Sequence, residues 1–247
     1  MAVSFTVDPE KPAICSRFDD PDIGISVCHL KFTGAAPVFL TEVFMSAYSE
    51  VEVKFYLQNL GSFQSLLIEA GGEDYQPRVL EVNLRFDTPD GLLRREQRVL
   101  RLRKDFTVYF TYKGAPKPGE EASIREEIEV DVSDFDAAQA FLEALGYQVT
   151  LMYEKYRTTY THQNVLITLD EMPYGYFAEI EGPDPVKIRS ASERLGLDWE
   201  TRSIESYLSL FQRVKDKLNL TFTDLSFENF EGISVAPTDM GIIPGNL

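Results

Sequence analysis

Glu50-Val-Glu52-Val-Lys54-Phe55-Tyr56-Leu57 alternates charge with apolar bulk. Glu50, Glu52 and Lys54 share one face, while Val51, Val53, Phe55 and Leu57 share the other. A period of two is the mark of a strand with one face in a core. What sets this strand apart is its polar face, which is built from full charges.

The same pattern recurs along the chain. Arg101 and Arg103 alternate with Leu100 and Leu102; Thr107, Tyr109, Thr111 and Lys113 alternate with Val108, Phe110 and Tyr112. Arg125, Glu127, Glu129 and Asp131 alternate with Ile124, Ile128, Val130 and Val132. Lys155 and Arg157 fall on a strand over 149–160, Asp170 on one over 165–171, and Glu179 and Glu181 flank Ile180. Thr88-Pro-Asp-Gly91 and the Gly- and Pro-rich stretch 114–121 read as turns or loops.

Helices intervene. Ser133 caps a helix carrying Phe135, Ala138, Phe141, Leu142 and Leu145 and ended by Gly146. Ser62–Ala70 forms a shorter one, stopped by Gly71-Gly72, and Ser190–Leu195 and Ile204–Leu218 give two more. The last has Tyr207, Leu208, Phe211, Val214 and Leu218 on one stripe. These helices need an apolar surface to cover, and the apolar strand faces supply it. The charged faces then point inward, and closing the sheet turns them into a tunnel. The alternative is an open antiparallel sheet with its polar face in water. Strand after strand of Glu, Asp, Arg and Lys, rather than Thr, Ser and Gln, argues against it. The expected fold is α+β: a closed antiparallel β-barrel with helices packed outside.

The chain has 247 residues, 26% of them charged, and a formal net charge of −16. That charge disfavours a nucleic acid polymer as partner, since the phosphate backbone would be repelled. No apolar run is long enough for a membrane span and no secretory signal is visible, so a cytoplasmic protein is expected. Cys15 and Cys28 form no disulfide framework or metal-binding spacing. Residues 1–44 hold both cysteines and four prolines, Pro9, Pro12, Pro21 and Pro37, without a clear period. They read as an N-terminal extension, or as sequence ahead of a natural start at Met45, with one tunnel domain over 45–247.

A tunnel of charge is costly unless the charges pair or hold ligands. The acidic candidates are Glu50, Glu52, Glu127, Glu129, Asp170, Glu179 and Glu181; the basic ones are Lys54, Arg101, Arg103, Lys113, Arg125, Lys155 and Arg157. Carboxylates two residues apart on one strand face converge on a hard cation. Guanidinium groups match phosphate oxygens in pairs, and lysines add point charges. Together they suit a metal-complexed polyphosphate.

Glu50-Val-Glu52-Val-Lys54 resembles the E-x-E-x-K signature that opens the CYTH superfamily, the triphosphate tunnel metalloenzymes. The likeness continues in order through Phe86-Asp87-Thr88-Pro89-Asp90, Leu100-Arg101-Leu102-Arg103, Thr111-Tyr112-Lys113-Gly114 and Arg125-Glu126-Glu127-Ile128-Glu129. Lys155-Tyr156-Arg157, Asp170 and Gly175-Tyr176-Phe177-Ala178-Glu179-Ile180-Glu181 complete it. The resemblance implies an eight-stranded tunnel in which Lys54, Arg101, Arg103, Lys113, Lys155 and Arg157 hold a triphosphate. It implies Mg²⁺ or Mn²⁺ on Glu50, Glu52, Glu179, Glu181 and Asp170. Arg125, Glu127 and Glu129 share the same face, the first with the basic set and the other two with the acidic one. Arg85 departs from the pattern, standing where an aromatic residue is common, at the tunnel mouth.

The family includes triphosphatases and class IV adenylate cyclases. Hydrolysis of tripolyphosphate, thiamine triphosphate or another organic triphosphate is the first reading, because it needs no base pocket. Cyclisation of ATP is the second and a non-catalytic polyphosphate or nucleotide sensor the third. Lys54 or Lys113 is the expected proton acceptor in hydrolysis. The oligomeric state is open, a homodimer being one option. His29 and His162 read as isolated surface or hydrogen-bonded side chains, and Trp199 as packing.

Overall fold

The computed structural model describes residues 15–19, 26–30 and 49–246. Cys15–Asp19 (β1) and Ser26–Leu30 (β2) pair antiparallel, with Cys15 opposite Leu30. The rest of the expected extension, including Met45, lies outside the described residues.

From Ser49 onward the chain folds as Ser49–Leu57 (β3), Leu60–Glu69 (α1), Glu73–Asp87 (β4), Leu92–Arg95 (α2), Val99–Lys104 (β5) and Val108–Lys113 (β6). Ser123–Val132 (β7), Phe135–Ala144 (α3), Gln148–His162 (β8), Val165–Met172 (β9) and Gly175–Glu181 (β10) follow. Pro185–Arg194 (α4), Tyr207–Leu218 (α5) and Pro237–Met240 (α6) end the series. The strands close into a barrel in the order β10-β3-β7-β6-β5-β4-β8-β9, every neighbour antiparallel. The ring of eight strands with helices outside is the expected architecture. No helix among the described residues is long and apolar enough to cross a membrane.

The apolar strand faces point outward, where the helices meet them. Val51, Val53, Phe55 and Leu57 pack with Phe63 and Leu67 of α1, Ile188 and Ala191 of α4, and Trp199. Phe86 and Leu102 lie under Ala138 and Leu142 of α3. α5 instead packs on inward-facing residues, Leu210, Phe211 and Val214 meeting Tyr153, on the face of Lys155, and Phe177, on the face of Glu179, together with Tyr174. Burying each such side chain contributes about 1.5–3 kcal/mol, so α1, α3 and α4 stabilise the ring from outside and leave its interior to polar groups.

Four helix starts differ from expectation, each set by a cap standing nearby. α1 begins at Leu60 behind Asn59 rather than at Ser62, Asn59 accepting from the Ser62 amide at 2.9 Å. Asp134, not Ser133, caps α3, its carboxylate accepting from the Ala137 amide at 2.7 Å. α4 begins at Pro185 behind Asp184 rather than at Ser190, and Asp184 accepts from the Lys187 amide. α5 begins at Tyr207 behind Ser206 rather than at Ile204. His162 is buried and its Nδ1 has no partner among the described residues, so it is neither a surface nor a hydrogen-bonded side chain at that atom.

The wall between β3 and β7 is short, running only from the Ser49–Glu126 pair to the Glu52–Ser123 pair. Where the strands part, the segment leading into α5 fills the gap, Lys54 and Ser203 exchanging backbone hydrogen bonds at 2.9 and 2.7 Å. This carries Tyr207 to the barrel.

The Thr88–Gly91 turn is held by Asp87. Gly91 takes a left-handed φ of 71°, and the Asp87 carboxylate accepts from the amides of Thr88 (2.8 Å), Leu93 (2.8 Å) and Arg94 (3.0 Å). Burial alone would raise its pKa, but the amides of Arg94, Leu93 and Thr88 stabilise the anion and lower it. Asp87→Ala is expected to cost about 2 kcal/mol in urea unfolding at pH 7, by leaving buried donors unmatched. Because the folded-state pKa is depressed, this contribution is complete above the unfolded value of about 4 and lost as pH falls through the folded one. The wild-type and variant stability curves should therefore converge in acid; a gap that persists there would overturn the assignment.

Candidate active site

The inward faces enclose a cavity of about 190 Å³. Glu50, Glu52 and Lys54 reach it from β3, Arg101 and Arg103 from β5, Lys113 from β6, and Arg125, Glu127 and Glu129 from β7. Lys155 and Arg157 of β8 and Glu179 and Glu181 of β10 complete the expected set. A larger hollow of about 470 Å³ lies around Tyr75, Arg78 and Glu171. Size alone would favour it, but its one prominent charge pair, Arg78 with Glu171 at 2.6 Å, is closed on itself. The chemistry is in the barrel.

Inside, cations and carboxylates pair in two groups. In the deeper one, Arg157 grips Asp170 through two bonds of 2.6 Å, and Lys155 adds a third at 3.0 Å. Tyr207 donates to the same Asp170 at 2.8 Å, and its ring lies 5.3 Å from the Lys155 ammonium. Beside them Glu81 faces Arg103 at 3.3 Å and Lys155 at 3.5 Å. Burial would raise the Glu81 pKa, but Arg103, Lys155 and Arg157 outweigh it and hold the carboxyl well below its ordinary range.

In the second group, Lys54 sits between Glu52 and Glu179, and Lys113 between Glu50 and Glu127. Burial would lower the pKa of both lysines, yet Glu179 and Glu52 raise that of Lys54, and Glu50 and Glu52 that of Lys113. Both are held as ammonium groups. With these partners both lysines stand as positive charges, an arrangement that favours holding an anion over the expected role of proton acceptor.

The carboxylates here exceed what two lysines can balance. Burial and the charges of Glu50, Glu179 and Glu127 push Glu181 up to about 7. Burial and Glu179 likewise raise Glu52, and Glu50 Oε2 is buried without a partner among the described residues. No three such side chains among the described residues already stand in ligating geometry, since the lysines draw the glutamates to themselves. An all-oxygen set with surplus negative charge nonetheless fits a hard divalent cation. Asp170 stands apart from it, fully buried, with both oxygens engaged by Lys155, Arg157 and Tyr207 as the counter-ion of the basic group.

Several wall residues are not among the sequence candidates, although the sequence places Arg85 at the tunnel mouth and Thr111 on the same strand face as Lys113. Glu81, Asn83 and Arg85 alternate with Leu80, Val82 and Leu84 on β4, a period-two signal that β4 shares with the other strands. Asn83 accepts from Arg103 Nε at 3.0 Å. Thr111 bridges Arg101 and Glu129, at 2.9 Å to each. Tyr153 takes a hydrogen bond from Arg101 at 3.2 Å; burial would raise its pKa, but Arg101, Arg103 and Lys155 lower it to about 8. Tyr207, on the apolar stripe of α5, turned out to face the cavity. No periodicity distinguishes such a residue from core.

A protein of Methanocaldococcus jannaschii, provisionally named an adenylate cyclase, is 28% identical over 134 residues, covering 53% of this chain and 75% of the relative. A solved structure from Vibrio parahaemolyticus, with the same provisional name, superposes with a TM-score of 0.59 at 23% identity, covering 67% of this chain and 98% of that one. A Hippeastrum protein, provisionally named an adenylyl cyclase and reported with a dominant triphosphatase activity, gives 0.51 at 20% identity, over 66% of this chain and 95% of the other. These two likenesses concern the fold. The family model described as the CYTH domain matches residues 49–206, more than half of the chain and the whole of the barrel, and the protein belongs to that family.

Proposed function

We propose that this protein hydrolyses the terminal phosphoryl group of tripolyphosphate or of an organic triphosphate, with Mg²⁺ or Mn²⁺, inside the barrel. The observation that carries this reading is the enclosed wall on which guanidinium and ammonium groups face a surplus of carboxylates. Arg101, Arg103, Lys113, Arg125, Lys155, Arg157 and Lys54 would exchange carboxylate oxygens for phosphate oxygens, which they can bind in the same geometry. Glu50, Glu52, Glu179 and Glu181, with Glu127 and Glu129 beside them, would hold the cation. When bound, the cation supplies neutralisation of charge on the phosphoryl oxygens.

The protein's own residues position the reactants. The basic groups fix the triphosphate so that water attacks the terminal phosphorus in line with the bridging oxygen. A new O–P bond forms and the bridging P–O bond breaks; the proton lost by the water passes to an oxygen of the phosphate products, and orthophosphate leaves together with the shortened chain. Lys54 and Lys113 act as fixed cations beside the developing charge, which needs no reorganisation at the moment of reaction. The cavity of about 190 Å³ is smaller than the roughly 300–1,000 Å³ of sites that enclose drug-sized ligands. It suits a phosphate chain better than an enclosed nucleoside. The triphosphatase activity of the Hippeastrum protein, which shares the fold, agrees with this reading. The name of the Methanocaldococcus relative favours a second one, cyclisation of ATP to cyclic AMP with release of pyrophosphate.

Phosphorus NMR of the purified protein with Mg²⁺ or Mn²⁺, given tripolyphosphate and ATP in separate tubes, separates the two. Orthophosphate growing in from tripolyphosphate is the expected result; cyclic AMP with pyrophosphate from ATP would establish the cyclase instead. Spectra unchanged in both tubes would sink the hydrolytic reading for these substrates. Glu52→Gln and Arg103→Ala should each lower kcat/KM by about 100-fold or more while thermal unfolding stays cooperative. Wild-type turnover in both variants would place the chemistry elsewhere.

A further inference from the structure

Arg85 and Arg101 stand directly opposite each other on β4 and β5, both on the cavity side. Like charges across a sheet repel, and Arg125 brings a third guanidinium to the same cavity. The Nε atoms of all three are buried without a hydrogen-bond partner among the described residues. Arg101 reaches carboxylates only at long range among the described residues, Glu129 at 3.6 Å and Glu127 at 3.9 Å. Arg125 donates to the Gln97 carbonyl at 3.2 Å. Elsewhere in the barrel Arg103, Lys155 and Arg157 are already matched by Glu81 and Asp170. Burial would lower the Arg101 pKa, but Tyr153 and Glu127, with Glu129 beside them, compensate the cation in part and raise it. Positive charge without a partner among the described residues is thus concentrated at Arg85, with Arg101 and Arg125 beside it. Burial, with the repulsion of Arg101 and Arg125, outweighs the opposing pull of Tyr153 and Asp87 and lowers the Arg85 pKa.

The arc also has a definite place along the cavity. Glu81 and Asp170, in the deep group, are 1% and 0% exposed, whereas the Glu129 side chain beside the arc is 47% exposed. The deep end is stoppered by Tyr207 on Asp170. A chain of phosphates bound along the barrel therefore has its outer end at the arginines.

We propose that Arg85, with Arg101 and Arg125, forms a subsite for the outer terminal phosphate, so that the tunnel selects inorganic polyphosphate over triphosphates esterified at one end. The proposal rests on the triphosphate reading above and names its substrate class. A free terminal phosphate offers three oxygens and up to two negative charges, which three guanidinium groups can share. An esterified end offers fewer charged oxygens and places an organic group against bare cations.

The test is Arg85→Met, compared with wild type in two ways: kcat/KM for tripolyphosphate and for ATP, and calorimetric binding of each with Mg²⁺. The ratio of tripolyphosphate to ATP, in turnover and in affinity, should fall at least tenfold. Melting temperature should hold or rise, because a repelled, unpaired cation has been removed. Equal losses for both ligands, an unchanged ratio, or a destabilised variant with an unchanged ratio would overturn the assignment. Should wild type turn over neither compound, the hydrolytic reading fails while the affinity ratio still decides the role of Arg85. Arg85→Lys, keeping the charge but not the fork, should recover part of the ratio.

Discussion

Charge taken out of water must find charge, and the interior of this barrel is organised by that requirement. Removing an ion from water costs several kcal/mol even after relaxation, and the wall brings in many from nearly every strand. The solution is interleaving. Asp170 gathers Lys155, Arg157 and the Tyr207 hydroxyl, Glu81 faces Arg103 and Lys155, and Lys54 stands between two glutamates. The helices outside matter for the same reason. By covering the apolar faces of the strands they force the charged faces inward, where solvent cannot satisfy them. A site of this kind is held in readiness by its internal pairs, and a ligand competes with them rather than entering an inert hollow.

The ring and its polarity were legible in the sequence because strand periodicity is strict and the charge on one face is unbroken. Every expected basic residue and every expected glutamate lines the cavity. What stayed hidden follows from the limits of periodicity. Asp170 sits on the predicted inner face, yet the face of a strand says nothing about depth or about which neighbour claims a carboxylate. Glu81 lies on a strand whose alternation was diluted by its outer, irregular half, where the pairing with β8 shifts register around Gln76. Tyr207 belongs to a helix, and an aromatic on an apolar stripe reads as core until a tertiary contact turns its hydroxyl to Asp170.

The balance between the lysines and the glutamates shows why residue type alone misassigns roles. A lysine deep in a barrel suggests a lowered pKa and a free amine. Here the carboxylates beside Lys54 and Lys113 reverse that effect, so burial ends in stronger protonation. The same carboxylates, crowded at Glu181 and Glu52, are left with more negative charge than the lysines neutralise. The surplus of each sign is displaced to a different part of the wall: acidic beside β3 and β10, basic beside β4 and β5.

The ring is sealed by β3 pairing with β10, Glu52 opposite Glu181 and Lys54 opposite Glu179. These partners lie far apart in sequence, with every other wall strand between them. A growing chain on the ribosome thus exposes Lys54 long before Glu179 is made, and contacts this non-local form late in folding. Pairs such as Lys113–Glu50 and Arg103–Glu81 do not depend on β10, whereas Lys54–Glu179 and Arg157–Glu179 do. Truncation before β10 leaves an open sheet with two unpaired edges and a solvated polar face, and the acidic surplus of the site is complete only when Glu179 and Glu181 join the wall as its first and last strands meet.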